Sequence, residues 1–268
     1  MKTGISSYTY TWAVGVPGKE PAKPMTAFDL VKRAEDMEVS LVQIADNLPL
    51  HNFDLDTLKK LGDMAVESGV EIETGARGLT AENLSNYIRI AELLRSPVLR
   101  FVIDSPGYEP DISTVLSVIK AHLASLEKHK ITLALENHDR LHSSIFRETV
   151  ETINHPLVGI CLDSVNSLGI AEGLETVVEN LAPYTVNLHV KDFTVRRVDH
   201  KMGFVVEGVP AGRGFLNLPW ILEKLHPWNR CQSAILELWT PPASTLEETI
   251  AKEDIWARES IHYLKQIL

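Results

Sequence analysis

Eight short apolar runs, each five or six residues long, recur along this chain with longer amphipathic segments between them. The runs are TGISS (3–7), LVQIA (41–45), VEIETG (70–75), VLRFVI (98–103), ITLALE (131–136), VGICLD (158–163), TVNLHV (185–190) and AILEL (234–238). Short apolar stretches of this kind suit parallel strands covered by helices on their outer face. The intervening segments 26–38, 54–68, 80–95, 111–128, 144–153, 171–181, 217–225 and 246–267 carry helical periodicity. Asp54 and Thr80 stand at two predicted helix starts and Gly69 at a stop, as capping chemistry requires.

Eight βα pairs in 268 residues predict an α/β fold, a closed (β/α)8 TIM barrel forming one domain over 1–268. An open doubly wound sheet would want a Gly-rich phosphate turn after an early strand. The first run leads into SYTYTWAVGVPG and the third into GARG, and neither is G-x-G-x-x-G. The connection 191–217 is long for a compact domain, which marks it as a candidate functional loop.

The balance of 36 acidic against 26 basic residues, net −10, argues against a nucleic-acid partner. MKTGISSYTY has no signal-peptide core, and no stretch has the length of a membrane span. The two cysteines, Cys161 and Cys231, form no C-x-x-C pair and are expected as reduced thiols of a cytoplasmic protein.

In a barrel, chemistry gathers where strands end and βα loops begin. The fifth run ends in Glu136-Asn137-His138, the sixth in Asp163, the seventh carries His189 followed by Lys191-Asp192, and the eighth carries Glu237. A single glutamate at a strand end is usually a solvated carboxylate, and a single aspartate there is usually a helix cap. Four consecutive strands converging on three carboxylates and an imidazole call for a different explanation. Packed carboxylates raise one another's pKa values, and a divalent cation removes the conflict. Three oxygens and one nitrogen suit Mn²⁺, Mg²⁺ or Co²⁺ better than a structural zinc. Glu136, Asp163, His189 and Glu237 are therefore the candidate metal ligands.

The series LENH, LDSVN, LHVKD and LELW resembles the xylose isomerase-like TIM-barrel superfamily, the sugar phosphate isomerase/epimerase group, over essentially the whole chain. The resemblance implies that the same four residues hold one catalytic divalent metal, and that Glu136 and Glu237 also move protons. The implied activity is a sugar isomerase or epimerase acting on a small ketose through a metal-stabilised enediolate. Many relatives place a histidine shortly after the sixth-strand aspartate, where this chain has Asn166. The segment SSYTYTWAVGVPG resembles a subgroup for which decarboxylation of a β-oxo sugar acid, 3-oxo-isoapionate, is the implied alternative.

The surroundings supply further candidates. His138, two residues beyond Glu136, could act as an acid or bind substrate hydroxyls. Arg100, Lys191, Asn166 and Arg213 are candidate substrate contacts, with Arg196 and Arg197 adding charge to the long loop. Several cations near a metal suit a sugar acid or sugar phosphate. Tyr8, Tyr10 and Trp12 could wall the C–H face of a sugar. The remaining histidines read as structural or solvated, with His200 undecided. The expected partner is a small sugar or sugar acid, with no nucleic acid and no membrane. A homo-oligomer could form through 191–217 or the C-terminal helix. A DNA-repair endonuclease on this barrel would need more ligands and a basic groove. A non-catalytic sugar-binding barrel would leave four converging ligands unexplained.

Overall fold

The computed structural model describes residues 1–268. Its ten strands are β1 (Lys2–Ser6), β2 (Leu41–Ile44), β3 (Glu71–Arg77), β4 (Val98–Val102), β5 (Thr132–Glu136), β6 (Val158–Asp163), β7 (Thr185–Val190), β8 (Phe193–Arg197), β9 (Phe204–Gly208) and β10 (Ser233–Leu236). All eight expected strands close into one barrel in the order β1-β10-β7-β6-β5-β4-β3-β2. Every pairing around the ring is parallel. The helices between them are α1 (Thr11–Val14), α2 (Ala27–Asp36), α3 (Leu55–Glu67), α4 (Ala81–Leu93), α5 (Ile112–His129), α6 (Ser143–Ile153), α7 (Leu174–Leu181), α8 (Leu218–Leu225) and α9 (Leu246–Ile267). No helix is long and apolar enough to cross a membrane. Both cysteines are free thiols, Cys161 buried and Cys231 partly so.

The predicted caps are where the sequence put them. Asp54 accepts from Thr57 N at 2.7 Å, and Thr80 from Asn83 N at 3.1 Å. Gly69 follows α3 in the left-handed region, with φ +66°, as a helix stop requires. The segment 171–181 is shorter than expected, because Asn166–Ile170 forms a 3-10 turn and α7 starts only at Leu174.

Two further departures bear on function. The third strand runs two residues beyond its expected end at 75. Gly75 looks like a stop in sequence, yet a Cβ there would lie 3.0 Å from the Ala45 backbone. The glycine lets two strands approach, and the strand continues to Arg77. The long connection is also not irregular throughout, since β8 and β9 form an antiparallel hairpin. Val195, Phe204 and Val206 of this hairpin are exposed.

Asp192 ties the two ends of this connection together. Its Oδ1 accepts from Phe193 N at 2.8 Å and Leu216 N at 3.0 Å, and its Oδ2 accepts from Gly212 N and Gly214 N at 2.9 Å each. Hydrogen bonds to a charged group contribute about 1.5–3 kcal/mol each, and they do not add fully. Asp192→Ala should therefore destabilise the fold by at least about 2 kcal/mol and expose 193–217 to proteolysis. Denaturant unfolding with limited trypsin digestion checks this. An unchanged midpoint and digestion pattern would contradict it.

Candidate active site

Side chains two residues apart on a strand share a side of the sheet. That parity sends Arg100, Glu136, Asp163, Asn187, His189 and Ser233 into the barrel, where all are buried. Glu237, one residue beyond β10, joins them. Barrel interiors are usually filled by branched apolar side chains. Here the apolar core lies mainly between barrel and helices, and the upper half of the interior is polar.

The centre of the cluster is His189. Its Nδ1 lies 3.5 Å from Glu136 Oε2, 3.6 Å from Asp163 Oδ2 and 3.5 Å from Glu237 Oε1. Two cations are threaded among the carboxylates. Lys191 Nζ sits 2.9 Å from Asp163 Oδ2 and 2.8 Å from Glu237 Oε2. Arg100 pairs through Nε with Glu136 Oε2 and through Nη1 with Asp46 Oδ1, the latter at 2.7 Å. Asn166 Nδ2 donates to Glu136 Oε1 at 2.8 Å. Both oxygens of Glu136 are thus engaged.

Burial opposes every charge in this cluster, and the neighbours overcome it. Burial alone would raise the Asp163 carboxyl, but the Lys191 ammonium and His189 hold it well below the usual carboxylate range. Glu237 is likewise lowered against burial, by His189 and Lys191. Lys191 would be lowered by burial, yet Asp163 and Glu237 keep it above the ordinary lysine range. His189 is raised against burial by Glu237 and Glu136.

Two atoms identify what the site can hold. His189 Nδ1 and Asp163 Oδ2 are buried without a hydrogen bond, although Lys191 lies near the latter. Donors sharing one cation at about 2.1 Å sit roughly 3–3.5 Å apart, which is the spacing around Nδ1. Asp163, His189 and Glu237 offer ligand atoms that all lie within 4.8 Å of one another. Glu136 groups instead with Cys161 and His189, because Arg100 draws it to one side. Three oxygens and one nitrogen fit a hard divalent cation.

Above the cluster lies a cavity of about 440 Å³. Tyr8, Trp12, Arg100, Glu136, His138, Asn166, Lys191 and Glu237 line it, all of them candidates from the sequence. Tyr10 is buried and does not line it. Trp12 is held by its indole N–H on Thr240 O at 2.8 Å and by its backbone N–H on Glu253 at 3.0 Å. Tyr8 donates to Asp46 Oδ2 at 3.1 Å. Burial, reinforced by Asp46, raises its phenol above the usual range. His138 has both nitrogens engaged, Nδ1 with Asp139 at 3.1 Å and Nε2 with Arg77 Nη2 at 3.1 Å. Arginine only donates, so Nε2 accepts and the ring proton faces Asp139.

The loop arginines do not join this cavity. Arg213 pairs with Glu259 at 2.5 Å and is largely exposed. Arg196 pairs with Glu207 across the hairpin at 2.8 Å, and Arg197 lies over Phe204. His200 contacts Met202 N in the hairpin turn. Sequence reasoning missed Arg77, Trp239 and Thr240, which line the cavity. It also missed Asp46, which joins Arg77 to Arg100. The signal for Arg77 was its parity with Glu73 and Gly75 on one strand.

The sequence profile described as xylose isomerase-like TIM barrel matches residues 31–267. A protein of Pectobacterium atrosepticum named 3-oxo-isoapionate decarboxylase is 29% identical over 264 residues, 98% of this chain and 95% of that protein. Among solved structures, D-psicose 3-epimerase of Clostridium cellulolyticum H10, determined with D-tagatose, superimposes with TM-score 0.76 at 12% identity, covering 100% of this chain and 99% of that one. A xylose isomerase-like TIM-barrel protein of Mycobacterium smegmatis in complex with magnesium gives TM-score 0.68 at 11% identity, covering 98% and 97%.

If Glu237 is a metal ligand, its loss should weaken metal binding by at least the roughly 10- to 100-fold that loss of an outer partner costs. Glu237→Gln should fold normally and bind Mn²⁺ that much more weakly in calorimetry. Unchanged affinity with full turnover would remove Glu237 from the ligand set.

Proposed function

The chain belongs to the xylose isomerase-like TIM-barrel family, and from that premise we propose that it is a divalent-metal-dependent carboxy-lyase acting on a β-oxo sugar acid such as 3-oxo-isoapionate. The observation that carries the choice of reaction is the state of Glu136. Its Oε2 is paired with Arg100, and its Oε1 accepts from Asn166 at 2.8 Å. Isomerisation and epimerisation need a base to take a carbon-bound proton and a group to return one. Decarboxylation reaches an enediolate with no base, because the electron pair comes from the breaking C–C bond. The relative named 3-oxo-isoapionate decarboxylase supports the same direction.

In this reading, a cation held by Glu136, Asp163, His189 and Glu237 supplies Lewis-acid polarisation of the substrate carbonyl. The chain's own groups do the rest. Arg77, held at the cavity wall by His138, orients the carboxylate. Asp46 already pairs with Arg77 at 3.3 Å, which weakens the hold on a group that must leave as neutral CO₂. The C–C bond to that carboxylate breaks, its electrons form the enediolate and CO₂ departs. Lys191 Nζ, kept protonated by Asp163 and Glu237, donates the proton to the carbon left behind. Trp12, Trp239 and Tyr8 line the same cavity and limit the access of water.

The second reading is a ketose isomerase or epimerase, favoured by Glu136 and Glu237 both facing the cavity. One experiment separates the two. The enzyme with Mn²⁺ in D₂O should release CO₂ from the β-oxo acid and place deuterium on the product carbon that lost it, while ketoses stay unlabelled. Deuterium entering a ketose without CO₂ would sink the lyase reading. His138→Asn should slow turnover roughly 10- to 100-fold, the weight of one hydrogen bond to a charged group, with metal content unchanged, measured by steady-state kinetics and metal analysis. Wild-type turnover would confine His138 to a structural role.

A further inference from the structure

Beneath the carboxylate cluster the barrel carries a second polar layer that the proposed chemistry does not use. Gln43, Glu73, Asn187 and Ser233 come from β2, β3, β7 and β10, and all are buried. Glu73 Oε2 accepts from Gln43 Nε2 and Asn187 Nδ2 at 3.0 Å each, and its Oε1 accepts from Ser233 Oγ at 2.6 Å. Burial pushes the Glu73 carboxyl up to about 7. An acidic side chain at the centre of a barrel is costly where leucine or valine would pack, so the layer needs a reason.

The reason is directional. The NH₂ of Gln43 is committed to Glu73 Oε2 at 3.0 Å and to Asn187 Oδ1 at 3.2 Å, both acceptors. Turning the amide over would set its carbonyl against the Glu73 carboxyl. Its Oε1 is therefore left facing His189 Nε2 at 2.7 Å. A carbonyl only accepts, so Nε2 carries a proton and donates it. The other nitrogen, Nδ1, is thereby left to face Glu136, Asp163 and Glu237, and it is buried without a hydrogen bond.

We propose that Glu73 and Gln43 are positioning residues: Glu73 orients the Gln43 amide, and Gln43 fixes the ring and the tautomer of His189 so that Nδ1 is presented to the cation. The inference rests on His189 being a ligand and is independent of which reaction follows. Outer partners of ligating histidines typically contribute 10- to 100-fold in metal affinity. The chain runs through two residues, so it makes a prediction that a single outer hydrogen bond does not. Exchanging the pair should restore what a single substitution removes.

The test is Mn²⁺ titration by calorimetry on the full chain, with thermal unfolding in parallel. Gln43→Met should stay folded and bind Mn²⁺ about 10- to 100-fold more weakly. The double variant Gln43→Glu with Glu73→Gln keeps an acceptor toward His189 and a donor–acceptor pair behind it. It should return to within about threefold of wild type, a shift below 1 kcal/mol. In the metal-free wild type, ¹⁵N-imidazole NMR should show an exchange-protected proton on His189 Nε2, assigned by its loss in His189→Gln. Wild-type affinity in Gln43→Met, no recovery in the folded double variant, or an unprotonated Nε2 would each overturn the relay. If Gln43→Met does not fold, the double variant and the wild-type spectrum still decide it. A wild-type protein that binds no Mn²⁺ would overturn the ligand reading itself, and the relay with it.

Discussion

Three carboxylates converge within 3.6 Å of a single buried imidazole nitrogen, and the mutual repulsion of that arrangement organises what surrounds it. Without compensation, like charges at this spacing would neutralise one another by taking up protons. Arg100 and Lys191 offset much of the charge from opposite sides. The pairing leaves His189 Nδ1 and Asp163 Oδ2 without hydrogen bonds. A protein that only needed stability would fill this space with aliphatic side chains, because replacing buried ion pairs in that way is often neutral or favourable. The charges are retained at a cost, and a cation that all of them can share is the explanation we propose.

Much of this was legible in the sequence because strand parity and strand ends are local signals. The apolar runs located all eight barrel strands, and residues at or beside their ends supplied the candidates Glu136, Asp163, His189 and Glu237. The hidden parts depend on partners far away in the chain. Arg77 was lost because Gly75 reads as a strand end, whereas it marks a close approach to the Ala45 backbone. Asp46 reads as a turn residue after the second strand, and only the fold brings Arg77 and Arg100 to it. Gln43 and Glu73 stand on the polar side of their runs, a side that the sequence by itself does not place. In a closed barrel that side faces inward. Arg196, Arg197 and Arg213 erred the other way, since loop charge says nothing of neighbours. Glu207 and Glu259 take up two of these arginines away from the cavity.

The same geometry bears on reaction type. Many family members are expected to carry a histidine where this chain has Asn166, and here the asparagine amide occupies Glu136 Oε1 at 2.8 Å. A glutamate with both oxygens engaged is a good anchor and a poor shuttle. In the proposed reaction, proton delivery falls to Lys191, whose ammonium is stabilised by the carboxylates it pairs with. Around this centre the less regular segments act as supports. Asp192 gathers the long connection onto the end of β7. Glu253 reaches from α9 to hold the backbone of Trp12 and Ala13 at 3.0 Å each. Both loops at the mouth are therefore fixed by buried carboxylates accepting backbone N–H groups, the kind of preorganisation that a site expelling water requires.

The most direct measurement is anomalous diffraction at the manganese edge from a crystal equilibrated with Mn²⁺. A single peak about 2.1–2.2 Å from His189 Nδ1, within coordinating reach of Glu136, Asp163 and Glu237, is the predicted result. No peak inside the barrel, or a peak on other residues with His189 Nδ1 left free, would contradict the cation-centred account.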